Sequence, residues 1–283
     1  EIFCHKDSST SKSVEHIVPE SLGNKDYFLP KGCVCDNCNH YFAIKVEKEL
    51  LSQPYFVSLR FRNEILTKKG KLVKQKMFFP NCCKSAEVVM QTTADGLIAS
   101  IADKQLYDNL KTDKTYTMIG PYIPEPDYPN VLLSRFIAKC AYEYFLYKVG
   151  SDKYDLCVQE FLNKQNDILK ELREYARYGI GNYWNYNQRR IYSESALFHN
   201  KKDNSLYETL HEMNFIVKNH TILSNGQTEA EIYFVLVIGG IEYTICLSDK
   251  DNISGIQQFI EKNGNHPLLE YNNEEQLSFG LSN

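Results

Sequence analysis

"EHIVPESLGNKDYFLPKGCVCDNCNHYF", residues 15 to 42, decides how this chain is read. It sets an acid and an imidazole side by side, Glu15 and His16, ahead of an apolar pair and Pro19. It ends on a Cys-x-x-Cys turn, Cys35 and Cys38, with Asn39 directly after it. A lone histidine in a short strand is more often packed or solvated than catalytic, so the pair gains meaning only from its neighbours. Gly23, Pro30 and Gly32 punctuate the stretch and the preceding "HKDSSTSKS" is polar, so only short strands fit between Cys4 and Cys38. "NHYFAIKVEKELL", residues 39 to 51, then places Phe42, Val46 and Leu50 at helical spacing, with Asn39 at its start. Two short strands followed by a helix are expected.

Four of nine cysteines, Cys4, Cys33, Cys35 and Cys38, fall in the first forty residues. With no secretion signal in view, metal binding explains that cluster better than disulfides do. The Cys35–Cys38 turn supplies two thiolates, half of a tetrahedral zinc site, and Cys4 is the obvious third ligand. The fourth stays open between Cys33, His5, Glu1 and a residue upstream of Glu1. Cys140, on an apolar helical face, and Cys246, in a strand, read as small buried hydrophobes. The vicinal Cys82 and Cys83 are given no role.

The chain of 283 residues, 43% hydrophobic and 24% charged, has the composition of a globular protein. No apolar run approaches the roughly 20 residues that span a bilayer, and no signal peptide is visible; a cytoplasmic chain without membrane contact is expected. Residues 1–80 hold 13 Lys and Arg against 9 Asp and Glu, so the N-terminal part is basic within a chain whose net charge is −4. Such asymmetry lets one part face nucleic acid while the acidic remainder does something else. The expected organisation is a cysteine-rich N-terminal unit over 1–55, a β-rich extension over 56–125 and an α+β body over 126–283. "AEVVMQTTADGLIASI" reads as two strands about Asp95–Gly96, and the proline-rich "GPYIPEPDYPN" at 120–130 as an internal boundary. A helix is expected over 131–148 and another over about 153–176. Three strands follow within 214–247, the last two flanking Gly239–Gly240.

The opening stretch resembles the HNH endonuclease family, in the subgroup with a Cys-x-x-Cys, a Glu-His-Ile-x-Pro followed by Leu-Gly, and a Cys-Asp-x-Cys-Asn. The resemblance covers residue 4 to about residue 50. It implies an α+β fold with an N-terminal ββα-metal unit stapled by structural Zn²⁺. It also implies that His16 is the general base for the attacking water, and that Glu15 and Asn39 hold a catalytic Mg²⁺ or Mn²⁺. Two departures stand out: the acid is Glu rather than the more widespread Asp, and the motif's middle asparagine, expected near Pro30 or Lys31, is absent.

Phosphodiester hydrolysis asks for these residue types on independent grounds. A hydroxide-like nucleophile must approach an anion, and charge develops on the leaving 3′ oxygen. Histidine, with an ordinary pKa of about 6.5, accepts a proton near neutrality, while a carboxylate and an amide carbonyl are hard donors for Mg²⁺ or Mn²⁺. Adjacent strand residues point to opposite faces, so Glu15 and His16 share one site only if the strand ends or bulges there. Lys31, His40 and Lys45 are candidate contacts to the DNA backbone. "NYWNYNQRR", residues 182–190, offers aromatics and cations of the kind that stack on single strands, although such residues serve ordinary packing as often. The expected function is a DNA-cleaving HNH endonuclease of microbial restriction or antiviral defence, acting alone, as a homodimer or with a defence-system partner. The alternative is a catalytically inactive zinc-knuckle protein that binds DNA or serves as a scaffold.

Overall fold

The computed structural model describes residues 1–94, 96–110, 114–149, 167–194, 196–199, 206–222, 228–247 and 249–252. The fold is α+β. It divides into two compact units, one of residues 1–18, 24–47 and 128–283, the other of residues 19–23 and 48–127.

The first unit opens with β1 (Glu15–His16), antiparallel to β2 (Phe28–Leu29), with Glu15 opposite Leu29 and His16 opposite Phe28. Helix α1 (Asp36–Phe42) follows and continues through a π turn over Ala43–Glu47. The helix begins three residues before Asn39, the start expected from sequence. Cys35 is its N-cap, and the Cys35 Sγ accepts a hydrogen bond from Cys38 N at 3.4 Å, satisfying one of the donors a helix start leaves open. The ββα arrangement expected from the cysteine and glycine spacing is therefore present.

The second unit carries α2 (Lys48–Leu51) and α3 (Pro54–Arg62), then an antiparallel sheet of β3 (Gln75–Phe79), β4 (Lys84–Thr93) and β5 (Gly96–Ile101), and α4 (Lys104–Asn109). Phe79, Ala86, Val88 and Leu106 form its small core. The β4–β5 hairpin joins the strands expected about Gly96; residue 95 itself lies outside the described residues. No regular element occupies 120–130, as its prolines require.

The first unit resumes with α5 (Val131–Val149) and α6 (Asp167–Tyr178); the part of the second expected helix before 167 lies outside the described residues. Strands β6 (Asn187–Arg190), β7 (Phe198–His199), β8 (Leu206–Tyr207), β9 (His211–Ile222), β10 (Thr228–Ile238) and β11 (Ile241–Cys246) complete it. The main sheet runs β6-β11-β10-β9, all antiparallel. Gly239 and Gly240 make the two-residue β10–β11 turn at positive φ, 55° and 82°. A Cβ on Gly240 would meet the Tyr192 carbonyl at 2.8 Å, so the close approach itself demands glycine.

Period-two alternation explains how both faces of β10 are used. Tyr233, Val235 and Val237 join Tyr192, Phe198, Ile216 and Cys246 in a core on one face. Phe234, on the other face, packs against Tyr144 of α5 at 5.7 Å between ring centroids. Helix α5 is enclosed on every side, since Phe136 through Tyr144 are all buried, and only a core helix can be apolar all round. Within it sit two charged residues, Lys139 and Glu143, both fully buried. The residues of 182–190 are also spent on packing: Trp184 is buried with its Nε1 donating to the Cys246 carbonyl at 3.0 Å, Tyr186 is buried, and Arg189 pairs with Glu242 at 3.0 Å. Ordinary packing, not strand stacking, accounts for that aromatic stretch.

Candidate active site and metal centre

Four donor atoms converge at the start of the chain. One ligand atom each from Glu1, Cys4, Cys35 and Cys38 lies within 4.8 Å of the others. The Cys4 and Cys35 sulfurs are 3.7 Å apart, and Cys38 Sγ is 3.5 Å from Glu1 Oε1. Two thiolates bound tetrahedrally at about 2.3 Å stand about 3.8 Å apart, so the cluster has the chemistry and the dimensions of a zinc site. Glu1, one of the alternatives left open by the sequence, joins the three expected cysteines. Cys33 and His5 lie outside the cluster; the Cys33 carbonyl accepts from Ile2 N at 2.9 Å, and His5 meets Arg173.

The electrostatics suit a metal centre. Burial pushes the Cys38 thiol well above its ordinary pKa and Arg177 pulls it back, its Nε donating to Cys38 Sγ at 3.2 Å. Burial and then Glu1 raise Cys4 as well. With a cation bound, Arg177 would offset part of the charge that three thiolates and a carboxylate gather. The Arg177 guanidinium also lies 3.7 Å over the Tyr41 ring, and Arg135 donates to the Tyr41 hydroxyl at 2.8 Å. This second shell comes from α5 and α6, and no spacing rule in the N-terminal motif announces it.

The expected catalytic residues are held very differently from one another. His16 is half-buried on β1, its Nδ1 enclosed and without a hydrogen-bond partner among the described residues, and its ring lies 6.3 Å from that of Phe28. Glu15, pointing to the other side of the same strand, is buried and pairs with Lys139 Nζ at 2.5 Å. Lys139 is also met by Glu47 at 3.0 Å and by Glu143 at 3.2 Å. Burial alone would lower the Lys139 pKa, but Glu143, Glu15 and Glu47 outweigh it and hold the ammonium well above its usual value. Burial drives the Glu143 carboxyl well up, Lys139 opposing and Glu15 adding to the shift. Asn39 on α1 is half-buried, its Nδ2 donating to the Val14 carbonyl at 3.2 Å, which ties the helix to the residue entering β1. Its Oδ1 is the hard oxygen that the amide can still offer to a cation. Lys31, His40 and Lys45 are exposed.

A different asparagine ties the β1–β2 connection together. Asn24, fully buried between β1 and β2, donates to the carbonyls of Val18 at 2.6 Å and Tyr27 at 2.7 Å. Its Oδ1 accepts from the amides of Asp26 at 3.1 Å and Tyr27 at 2.9 Å. A loop that must return β2 to β1 exposes backbone groups to an apolar interior, and one amide side chain satisfies four of them. Asn24→Ala should destabilise the protein by about 3 kcal/mol, the order expected for several buried groups left unpaired. Asn24→Asp, which keeps the acceptor and loses both donors, should do nearly as much. Denaturant unfolding checks this, and a loss below about 1 kcal/mol for both variants would remove the tether from the account.

Sequence reasoning did not find Lys139, Glu47, Glu143 or Arg177. One signal was available: a Lys and a Glu four residues apart on the most apolar helix of the chain. No helix among the described residues is long and apolar enough to cross a membrane. No curated protein and no solved structure matches the chain. Residues 2–54, which hold β1, β2, α1 and three of the four clustered donors, Cys4, Cys35 and Cys38, match the family described as HNH endonuclease.

Proposed function

We propose that the protein is a metal-dependent endonuclease that hydrolyses phosphodiester bonds in DNA, with His16 as the base. The observation that carries this reading is a half-buried imidazole on β1 within the matched segment, with Asn39 of α1 tied to Val14, the residue entering that strand. His16 would take the proton from the attacking water. Glu15 and Asn39 would hold Mg²⁺ or Mn²⁺, a carboxylate and an amide oxygen being the donors such ions take. When bound, that ion supplies positive charge beside the scissile phosphate and the leaving 3′ oxygen. Lys31, His40 and Lys45 would meet backbone phosphates, and the zinc cluster would hold the segment together without touching substrate. A place in microbial restriction or antiviral defence follows from analogy within the family alone, and cutting both strands with one site per chain would call for a dimer or a partner.

Cleavage of supercoiled plasmid tests the reading. Nicked or linear product in Mg²⁺ or Mn²⁺, absent in EDTA with zinc still bound, is the expected result; intact plasmid under every metal condition would count against it. One observation favours the second reading, a silent zinc-knuckle protein that binds DNA or serves as a scaffold: the Glu15 carboxylate is engaged by Lys139. DNA binding without Mn²⁺ binding would select it.

A further inference from the structure

The strand that carries His16 is too short to fix itself. It pairs with β2 at two positions, Glu15 with Leu29 and His16 with Phe28, and an isolated ladder of that size is not stable in water. Its fixed points come from elsewhere. Ile17 N donates to the Tyr27 carbonyl at 3.1 Å, and Cys140 of α5 donates to the Ile17 carbonyl at 3.0 Å. The densest anchor is Lys139. Its ammonium donates to the His16 carbonyl at 3.1 Å and the Ile17 carbonyl at 3.4 Å while pairing with Glu15 at 2.5 Å. Glu47, from the turn that ends α1, and Glu143 complete its shell.

We propose that Lys139 is a positioning residue of the nuclease site: from α5, remote in sequence, it fixes the acid, the base's own backbone and the helix side of the site by one buried ammonium. This rests on the nuclease reading of Glu15 and His16. Lys139 is fully buried and therefore acts through its neighbours rather than on phosphate. Stability is a poor reason for such a group, because well-packed apolar residues of similar volume commonly replace a buried ion cluster without loss. Orientation is the better one. Three N–H donors shared among two consecutive carbonyls and carboxylates from β1 and the α1 side define where His16 and Glu15 stand, and catalytic groups lose rate steeply when misplaced by about 1 Å.

The test compares the full-length zinc-loaded protein with Lys139→Met and Lys139→Arg. Lys139→Met is expected to keep its zinc and lose at least tenfold in kcat on plasmid with KM within threefold, and Lys139→Arg to recover part of that loss. Two readouts do not need cleavage: amide exchange at Ile17 should quicken at least tenfold, and Mn²⁺ affinity, read from the free-ion spin resonance signal, should fall at least fivefold. If Lys139→Met does not fold, Lys139→Met with Glu143→Leu removes the cluster's buried partner as well and should fold with the same defects. Wild-type kcat in a folded Lys139→Met protein overturns the proposal, as does unchanged exchange with unchanged Mn²⁺ affinity; failure of both variants to fold assigns Lys139 to stability alone and overturns it too. Absence of cleavage by the unaltered protein would instead count against the nuclease reading, leaving exchange and Mn²⁺ binding to judge Lys139.

Discussion

His16→Ala is expected to lower metal-dependent plasmid cleavage by about 10²–10⁴-fold, the usual worth of a positioned general base, while the protein keeps its zinc and its fold. The structure makes this the cleanest substitution in the site. The imidazole is half-buried and its Nδ1 has no hydrogen-bond partner among the described residues, so truncation strands none of them on that nitrogen. The backbone of His16, by contrast, is in use, its carbonyl accepting from Lys139, and alanine preserves that contact. Glu15 cannot be probed so simply. Removing its carboxylate takes from Lys139 one of its partners in a dry interior, where breaking a buried pair costs about 3–5 kcal/mol, and a fall in activity would then confuse chemistry with unfolding. Glu15→Gln is the milder companion, since it keeps the volume and an oxygen. The measurement is initial rate in Mg²⁺ and in Mn²⁺, beside zinc content and circular dichroism. A zinc-loaded, folded His16→Ala protein that cuts within threefold of the original rate would rule His16 out as the base.

How much of this was legible in the sequence follows from range. The ββα order, the Cys35–Cys38 turn and the β10–β11 hairpin each rest on residues close in the chain, where spacing and turn chemistry speak directly. The helix over 131–149 was legible from its apolar repeat, but the repeat says only that the helix is buried. It cannot say that the far side of that helix holds β1, because the Lys139 contacts to His16 and Ile17 cross more than a hundred residues and obey no period. Glu15 shows the limit plainly. Adjacent strand residues face opposite ways, which raised the question of how Glu15 and His16 could serve one site; the structure turns Glu15 inward to a lysine that the local motif does not contain. Asn24 was overlooked although its four bonds are local, because a single asparagine in a loop has no spacing that sets it apart from a solvated one. Glu1, which the structure sets beside the three cysteines, lay among the alternatives that spacing alone left open.

Loss of the metal centre is expected to be the most damaging change to the protein itself. One zinc per chain should copurify, and Cys38→Ala should abolish its retention through dialysis. Losing an outer partner weakens metal sites by roughly 10–100-fold, and losing a thiolate exceeds that. Zinc at a thousand times its Kd contributes about 4 kcal/mol to the folded state, which corresponds to about 10 °C in the melting temperature of a body this size. The loss should be concentrated in the N-terminal segment, where β1 and β2 have two residues each and Cys35, a candidate ligand, also caps α1. The sign of the pH dependence follows from burial, which raises the Cys38 thiol: protons compete with zinc, so retention must weaken as pH falls and strengthen as it rises. Glu1→Ala should weaken zinc less than any of Cys4→Ala, Cys35→Ala or Cys38→Ala, since water can take the place of one carboxylate but not of a thiolate in a buried cluster. Cys33→Ser and His5→Ala, which lie outside the four donors, should leave the stoichiometry at one. Metal content by mass spectrometry and melting with and without chelator decide the matter. Full zinc in Cys38→Ala, or zinc lost in Cys33→Ser while Glu1→Ala keeps it, would mean that the four donors seen together at the start of the chain are not the ones that hold the ion.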